Sequence, residues 1–133
     1  MKVNPFRGLE RGEDLRTTVQ VPDKVSKLGL SGGTAVAEMG IFLDSVTTSL
    51  IVQRLGTRLE SNPFSRSILD TGTYLSLNTV FMLFLLLLSY LLYRYGSPRL
   101  VNGASLTLLL LGLVRGFLGV NNLLILSGLP PLI

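Results

Sequence analysis

Long apolar stretches alternate with short polar ones along this chain. No charge interrupts the sequence from Thr71 to Tyr93, and Phe81 to Leu92 is almost entirely Leu, Phe and Met. A second apolar run, Leu106 to Leu126, is broken only by Arg115 and an Asn pair. A third, more polar, runs from Thr34 to Leu55 and carries Glu38 and Asp44. Stretches near 20 residues with few charges are long enough to cross a bilayer as helices. The pattern predicts an all-α fold, a bundle of three transmembrane helices with spans at about 34–55, 74–93 and 104–126.

The segments between the spans read differently. Residues 1–33 predict a polar N-terminal arm of mixed charge, with Pro5, Pro22 and a break at Gly32-Gly33, ahead of a transmembrane domain over 34–133. In the first loop, Asn62-Pro63 is a helix-start signal. Phe64, Ile68 and Leu69 then make a short apolar face, so a short interfacial helix is expected from Pro63, capped by Asn62 or Ser61. Gly96 and Pro98 predict a tight second loop over Tyr95 to Asn102.

Within the first span, Ala37, Gly40, Asp44, Thr47, Thr48 and Ile51 share one helical face. Glu38 lies about 120° round the helix from Asp44 and joins Ser45. In the third span Gly112, Gly116 and Gly119 form a small-residue face for helix packing, including a G-x-x-x-G spacing. Arg115, Gly119 and Asn122 share that face by heptad spacing.

Asp44 and Arg115 fall near the centres of two spans that run in the same direction. A single charge at that depth costs about 2.5–3.5 kcal/mol on insertion scales, so such residues face a partner or a cavity. An intramembrane ion pair between them, supported by Glu38, Thr47, Thr48, Asn121 and Asn122, is the expected arrangement. Glu60, Asn62 and Asn78 are expected to form a loop cluster with the Asn pair at the opposite edge, because buried amides need partners.

Composition narrows the function classes. The 133-residue chain has no Cys and no His, and a net charge of +4. Thiolate nucleophiles, imidazole bases and the commonest zinc and haem ligands are therefore missing. No Lys lies in a span to serve as a base, and no glycine-rich phosphate loop precedes a helix. No catalytic residue, metal site or cofactor is expected. The positive charge flanks apolar segments, which fits topology and lipid headgroups better than specific nucleic-acid binding. The arm carries Lys2, Arg7, Arg11, Arg16, Lys24 and Lys27, and the second loop Arg94 and Arg99. The other side holds only Arg54, Arg58 and Arg66. By the positive-inside rule the N-terminus is inside and the C-terminus outside. Tyr90, Tyr93 and Tyr95 mark the inner interface and Tyr74 the outer one.

Asp44-Ser45-Val46-Thr47-Thr48, Gly56 and Glu60-Ser61-Asn62-Pro63 form a pattern. It resembles an uncharacterised family of small prokaryotic multi-pass membrane proteins with D-x-x-T-T in the first helix and E-x-N-P in the following loop. Asn121-Asn122 in the last helix is similar too. The resemblance covers about residues 35–126 and excludes the arm. It implies a fold and no established activity. The expected function is a non-enzymatic structural or accessory subunit of a larger membrane assembly, in a cell membrane or a virion membrane. Its partners would be the bilayer and other subunits. The alternative is a small homo-oligomeric ion channel or transporter using Asp44 and Glu38.

Overall fold

The computed structural model describes residues 23–57 and 63–132, with side chains of the second segment described from Arg66 onward. Four helices follow one another: α1 (Lys24–Leu55), α2 (Pro63–Asp70), α3 (Tyr74–Tyr95) and α4 (Pro98–Leu126). Three of them, α1, α3 and α4, are long and apolar enough to cross a membrane. The short helix α2 starts at Pro63 as its turn signal predicts. Residues 1–22 of the arm lie outside the described residues, as do Ser61 and Asn62, the predicted caps.

Two boundaries differ from the sequence reading. The first helix begins ten residues before Thr34 and runs through Gly32-Gly33 without a break. Glycine costs a helix about 1 kcal/mol relative to alanine. At Gly33 that cost has a packing reason, since a Cβ there would lie 2.6 Å from the Ser105 carbonyl oxygen of α4. Asp23 starts the helix by accepting a hydrogen bond from the Ser26 N–H at 2.7 Å. The second difference is at the α3–α4 turn, which is only Gly96-Ser97. Pro98 occupies the first turn of α4, where its missing N–H costs nothing, and Ser97 caps that turn. Residues 99–102, expected in a loop, are helical. Val101, among them, is fully buried against the corner.

Helix α1 is the centre of the bundle. Its buried residues Ser26, Leu30, Gly33, Ala37, Gly40, Asp44 and Thr47 recur at alternating steps of four and three. On α4 the buried residues Val101, Leu108, Gly112 and Gly119 keep the same seven-residue register. A repeat of 3.5 residues keeps two helices in contact through a shallow left-handed crossing. The two helices run parallel and pack along most of their length, whereas α3 touches α1 over a shorter stretch and scarcely meets α4. The apolar core lies on α1, with Leu30, Ala37 and Ile41 facing Leu85 of α3 and Val101 and Leu108 of α4. Large side chains such as Leu83, Phe84, Leu110, Leu113 and Phe117 point outward. An apolar belt of this extent suits lipid and not water.

Glycines decide how near α1 and α4 come. A Cβ on Gly40 would strike the carbonyl of Gly112, and one on Gly112 would strike the backbone of Val36 and Ala37. A Cβ on Gly119 would sit 2.9 Å from the Asp44 nitrogen. Gly116 is different, because its Cβ would meet only the Gly40 Cα at an ordinary 3.9 Å. The close contact therefore uses the heptad pair Gly112 and Gly119, and the G-x-x-x-G step to Gly116 is not the packing motif.

Gly40→Ala and Gly112→Ala should each destabilise the bundle by about 1–3 kcal/mol through overpacking. Gly116→Ala should be neutral or stabilising by about 0.5–1 kcal/mol. Unfolding in mixed micelles by dodecyl sulfate titration measures both, and equal costs at all three glycines would contradict the seam. The Ser26 hydrogen bonds hold the Asp23 carboxyl below its ordinary value of 3.8. A depressed carboxyl stabilises the fold above that ordinary value, and the contribution fades as pH falls through the lowered one. Amide protection in the first turn of α1, the exchange rate taken relative to the unstructured chain at the same pH, should therefore fall below about pH 4, and Asp23→Ala should remove that pH dependence.

Candidate functional site

Polar side chains gather where the α1–α4 seam is tightest. Asp44 is a seam residue of α1, and its side chain is 5% exposed. Arg115 reaches it from α4, with Nη1 2.5 Å from Asp44 Oδ2. The Arg115 side chain is 31% exposed, so it is less enclosed than its partner. Asn122, one heptad further along α4, donates from Nδ2 to Thr48 Oγ1 at 3.0 Å, to Thr47 Oγ1 at 3.3 Å and to Asp44 Oδ1 at 3.4 Å. Thr48 Oγ1 lies 3.4 Å from the same carboxylate oxygen. One short charge-assisted contact dominates, and the longer amide and hydroxyl contacts surround it.

Tyr74 is the contributor that sequence reasoning missed. Placed at the outer interface by its aromatic character, it aims its hydroxyl at Asp44 Oδ2 from 3.5 Å. The signal for it was its position as the first residue of α3, since an antiparallel helix starting there begins beside the second half of α1. With it, all three long helices converge on one carboxylate.

Depth in the bundle can be read from the pairings. Thr34 hydrogen-bonds Ser89 across the α1–α3 contact at 2.9 Å. Those helices are antiparallel, so the middle of α3, near Leu85, sits level with Glu38 of α1. The opposition of Gly40 and Gly112 places the middle of α4 at the same level. Asp44 thus lies about 6–9 Å and Arg115 about 4–8 Å from the centre, towards the Leu55 end. The apolar stretches begin later than the helices that contain them, so the two residues lie at the centres of the stretches and not of the helices. The charged residue nearest the centre is Glu38.

Glu38 stands apart from the Asp44 cluster, as its position on the helix requires. Both of its carboxylate oxygens are buried, and neither has a hydrogen-bond partner among the described residues. It lines a groove of about 340 Å³ between α1 and α3, with Thr34, Ala35, Leu86, Ser89 and Tyr90.

The expected loop cluster falls partly outside the described residues. Glu60 and Asn62 lie outside the described residues. Buried Asn78 turns its amide to its own helix, donating to the Tyr74 carbonyl at 3.0 Å. Asn121 parts from Asn122, and its Oδ1 accepts the Leu132 N–H at 2.6 Å, tying the segment beyond Pro130-Pro131 back onto α4. Adjacent helical residues point about 100° apart, which is why one Asn serves the seam and the other the tail. Among the described residues, no three His, Cys, Asp or Glu side chains gather as a metal site would need.

The arrangement joins helices. Removing one member of a buried ion pair leaves the other charge unpaired, so Asp44→Ala and Arg115→Ala should each cost about 2–4 kcal/mol. The double variant should cost less than the sum, by about 1–3 kcal/mol. Dodecyl sulfate unfolding of the four proteins gives the coupling, and additive costs would refute it. Tyr74→Phe should change stability by less than about 0.6 kcal/mol, since its contact is at the limit of hydrogen-bond reach.

Comparison with known proteins places this geometry in a family. No curated protein and no solved structure matches the chain. The model of a domain of unknown function, DUF5658, matches residues 37–128, a stretch that contains the Asp44 cluster, Gly112, Gly116 and Gly119 of α4, and Glu38. The chain belongs to the DUF5658 family.

Proposed function

We propose that this protein is a non-enzymatic integral membrane protein that acts as a structural or accessory subunit of a larger membrane assembly. The observation that carries this reading is the unequal packing of the bundle. Helix α1 is held between two neighbours, while α3 and α4 scarcely meet. Each outer helix keeps a broad apolar flank, and Glu38 keeps a buried carboxylate without a partner among the described residues. Three helices so arranged enclose no path of their own, and neighbouring chains would complete the unused surfaces. The basic residues at the Lys24 end favour an N-terminus inside and a C-terminus outside. A multi-subunit complex of a cell membrane and a virion membrane both accommodate such a subunit.

The D-x-x-T-T and E-x-N-P runs are our proposed signature for this prokaryotic family. Asp44, Thr47 and Thr48 support the first of them, since all three take part in one polar cluster. The alternative is a homo-oligomeric channel or carrier using Asp44 and Glu38. It is weakened at Asp44, whose carboxylate is already held by Arg115, and rests on Glu38.

Protein purified in a mild detergent from its own membrane should migrate as a defined complex with other polypeptides at fixed stoichiometry. Native mass measurement gives the composition. A free monomer with no co-purifying chain would overturn the subunit reading.

A further inference from the structure

Glu38 is the one acidic side chain of the described spans without a counter-charge. Asp44 has Arg115. Glu38 has neither a cation nor a hydrogen-bond donor, although both of its oxygens are buried. No basic residue of the described helices is placed to serve it. Lys24, Arg54, Arg94 and Arg99 lie at helix ends. Lys27 is eleven residues away along α1, about 16 Å, and its ammonium sits over the Tyr93 ring, 4.8 Å from the centroid. A second copy of the chain offers no help, because its only basic residue deep within the described spans is again Arg115, engaged by Asp44.

The groove beside Glu38 has the properties of a ligand site. Its volume, about 340 Å³, is that of a small-molecule pocket. Leu30, Ala35 and Leu86 supply apolar walls, and Thr34 and Ser89, hydrogen-bonded to each other, add two hydroxyls to the lining. Tyr90 and Tyr93 line it towards the Lys24 end. A carboxylate with apolar walls and aromatic rings matches a cation with an apolar body. The charge meets Glu38, and the Tyr90 ring attracts the same positive charge, whereas Tyr93 already carries the Lys27 ammonium. An inorganic ion would have to shed its water for few oxygen ligands and then lie against hydrocarbon, so the groove disfavours it.

We propose that Glu38 and the α1–α3 groove bind a lipophilic monovalent organic cation, such as a quaternary ammonium or phosphonium compound, taken up from the bilayer. Glu38 supplies the counter-charge, Tyr90 a ring face and the leucines the contact area. This site is separate from the Asp44 cluster and does not depend on the subunit reading, because it is complete within one chain.

The test is equilibrium binding of tetraphenylphosphonium to the full chain in phosphatidylcholine nanodiscs, with Glu38→Gln under the same conditions as the measure of simple partitioning. The wild type should bind one cation per chain, and Glu38→Gln should bind it about tenfold more weakly or worse. Tyr90→Ala, which leaves the charge in place, should weaken binding about threefold to tenfold. It also keeps the proposal testable if the Gln variant misfolds by circular dichroism. Equal uptake by wild type and Glu38→Gln would overturn the site, as would a Tyr90→Ala variant that binds like wild type. A Glu38 that serves only a proton or the lysine of another subunit would give no uptake above partitioning, which also overturns it.

Discussion

The close parallel approach of α1 and α4 is the constraint on which the remaining structure depends. In lipid, burying apolar side chains gives no gain over leaving them against acyl chains, so helices associate through close packing and polar contacts. Gly33, Gly40, Gly112 and Gly119 remove the side chains that would hold the two backbones apart. Short polar side chains can then meet across the gap. Thr47, Thr48 and Asn122 have little reach, and their contacts exist only because the axes are near. Asp44, whose side chain is no longer than that of asparagine, receives Arg115 at the same place. Packing and charge pairing are therefore one device. The glycines set the distance, and the ion pair makes separation of the helices costly, because separation would leave two charges without partners in hydrocarbon.

Helix α3 is attached by other means. One hydroxyl pair, Thr34 with Ser89, and the small buried patch around Leu85 hold it to α1, and Tyr74 reaches in from its first turn. This lighter attachment leaves the groove at Glu38 open along the α1–α3 contact. The two intramembrane carboxylates consequently have opposite situations. Asp44 lies in the tight seam and is neutralised within the chain. Glu38 lies beside the loose contact and is not. The difference follows from the six-residue step between them, which turns the two side chains onto different faces of one helix.

Much of this was legible in the sequence. The apolar runs of α3 and α4 exceed what a soluble helix needs, and the loop signals at Pro63 and Gly96 mark true turns. The partnership of Asp44 and Arg115 could be inferred from equal depth on parallel spans. The helix starts could not. Lys24, Lys27 and Arg99 look like loop residues, yet they are helical because a helix continues past the apolar region wherever a neighbour or a cap supports it. The centre of the helices therefore lies at Glu38, and the centre of the apolar stretch of α1 at Asp44. Gly116 packs more loosely than Gly112 and Gly119, and a G-x-x-x-G spacing states that two glycines share a broad face but not which of them most closely meets the opposing backbone.

By itself, then, the sequence determined the class of structure, the number of spans and the residue types able to carry charge inside them, because hydropathy and helix period act locally. The tertiary structure decided which of those charges is satisfied. Asn121 turning to the chain's tail, Tyr74 turning to Asp44 and Glu38 left beside a groove all depend on how far apart three helices stand and how each is rotated. Those quantities come from contacts between residues far apart in the chain, to which no local pattern is sensitive.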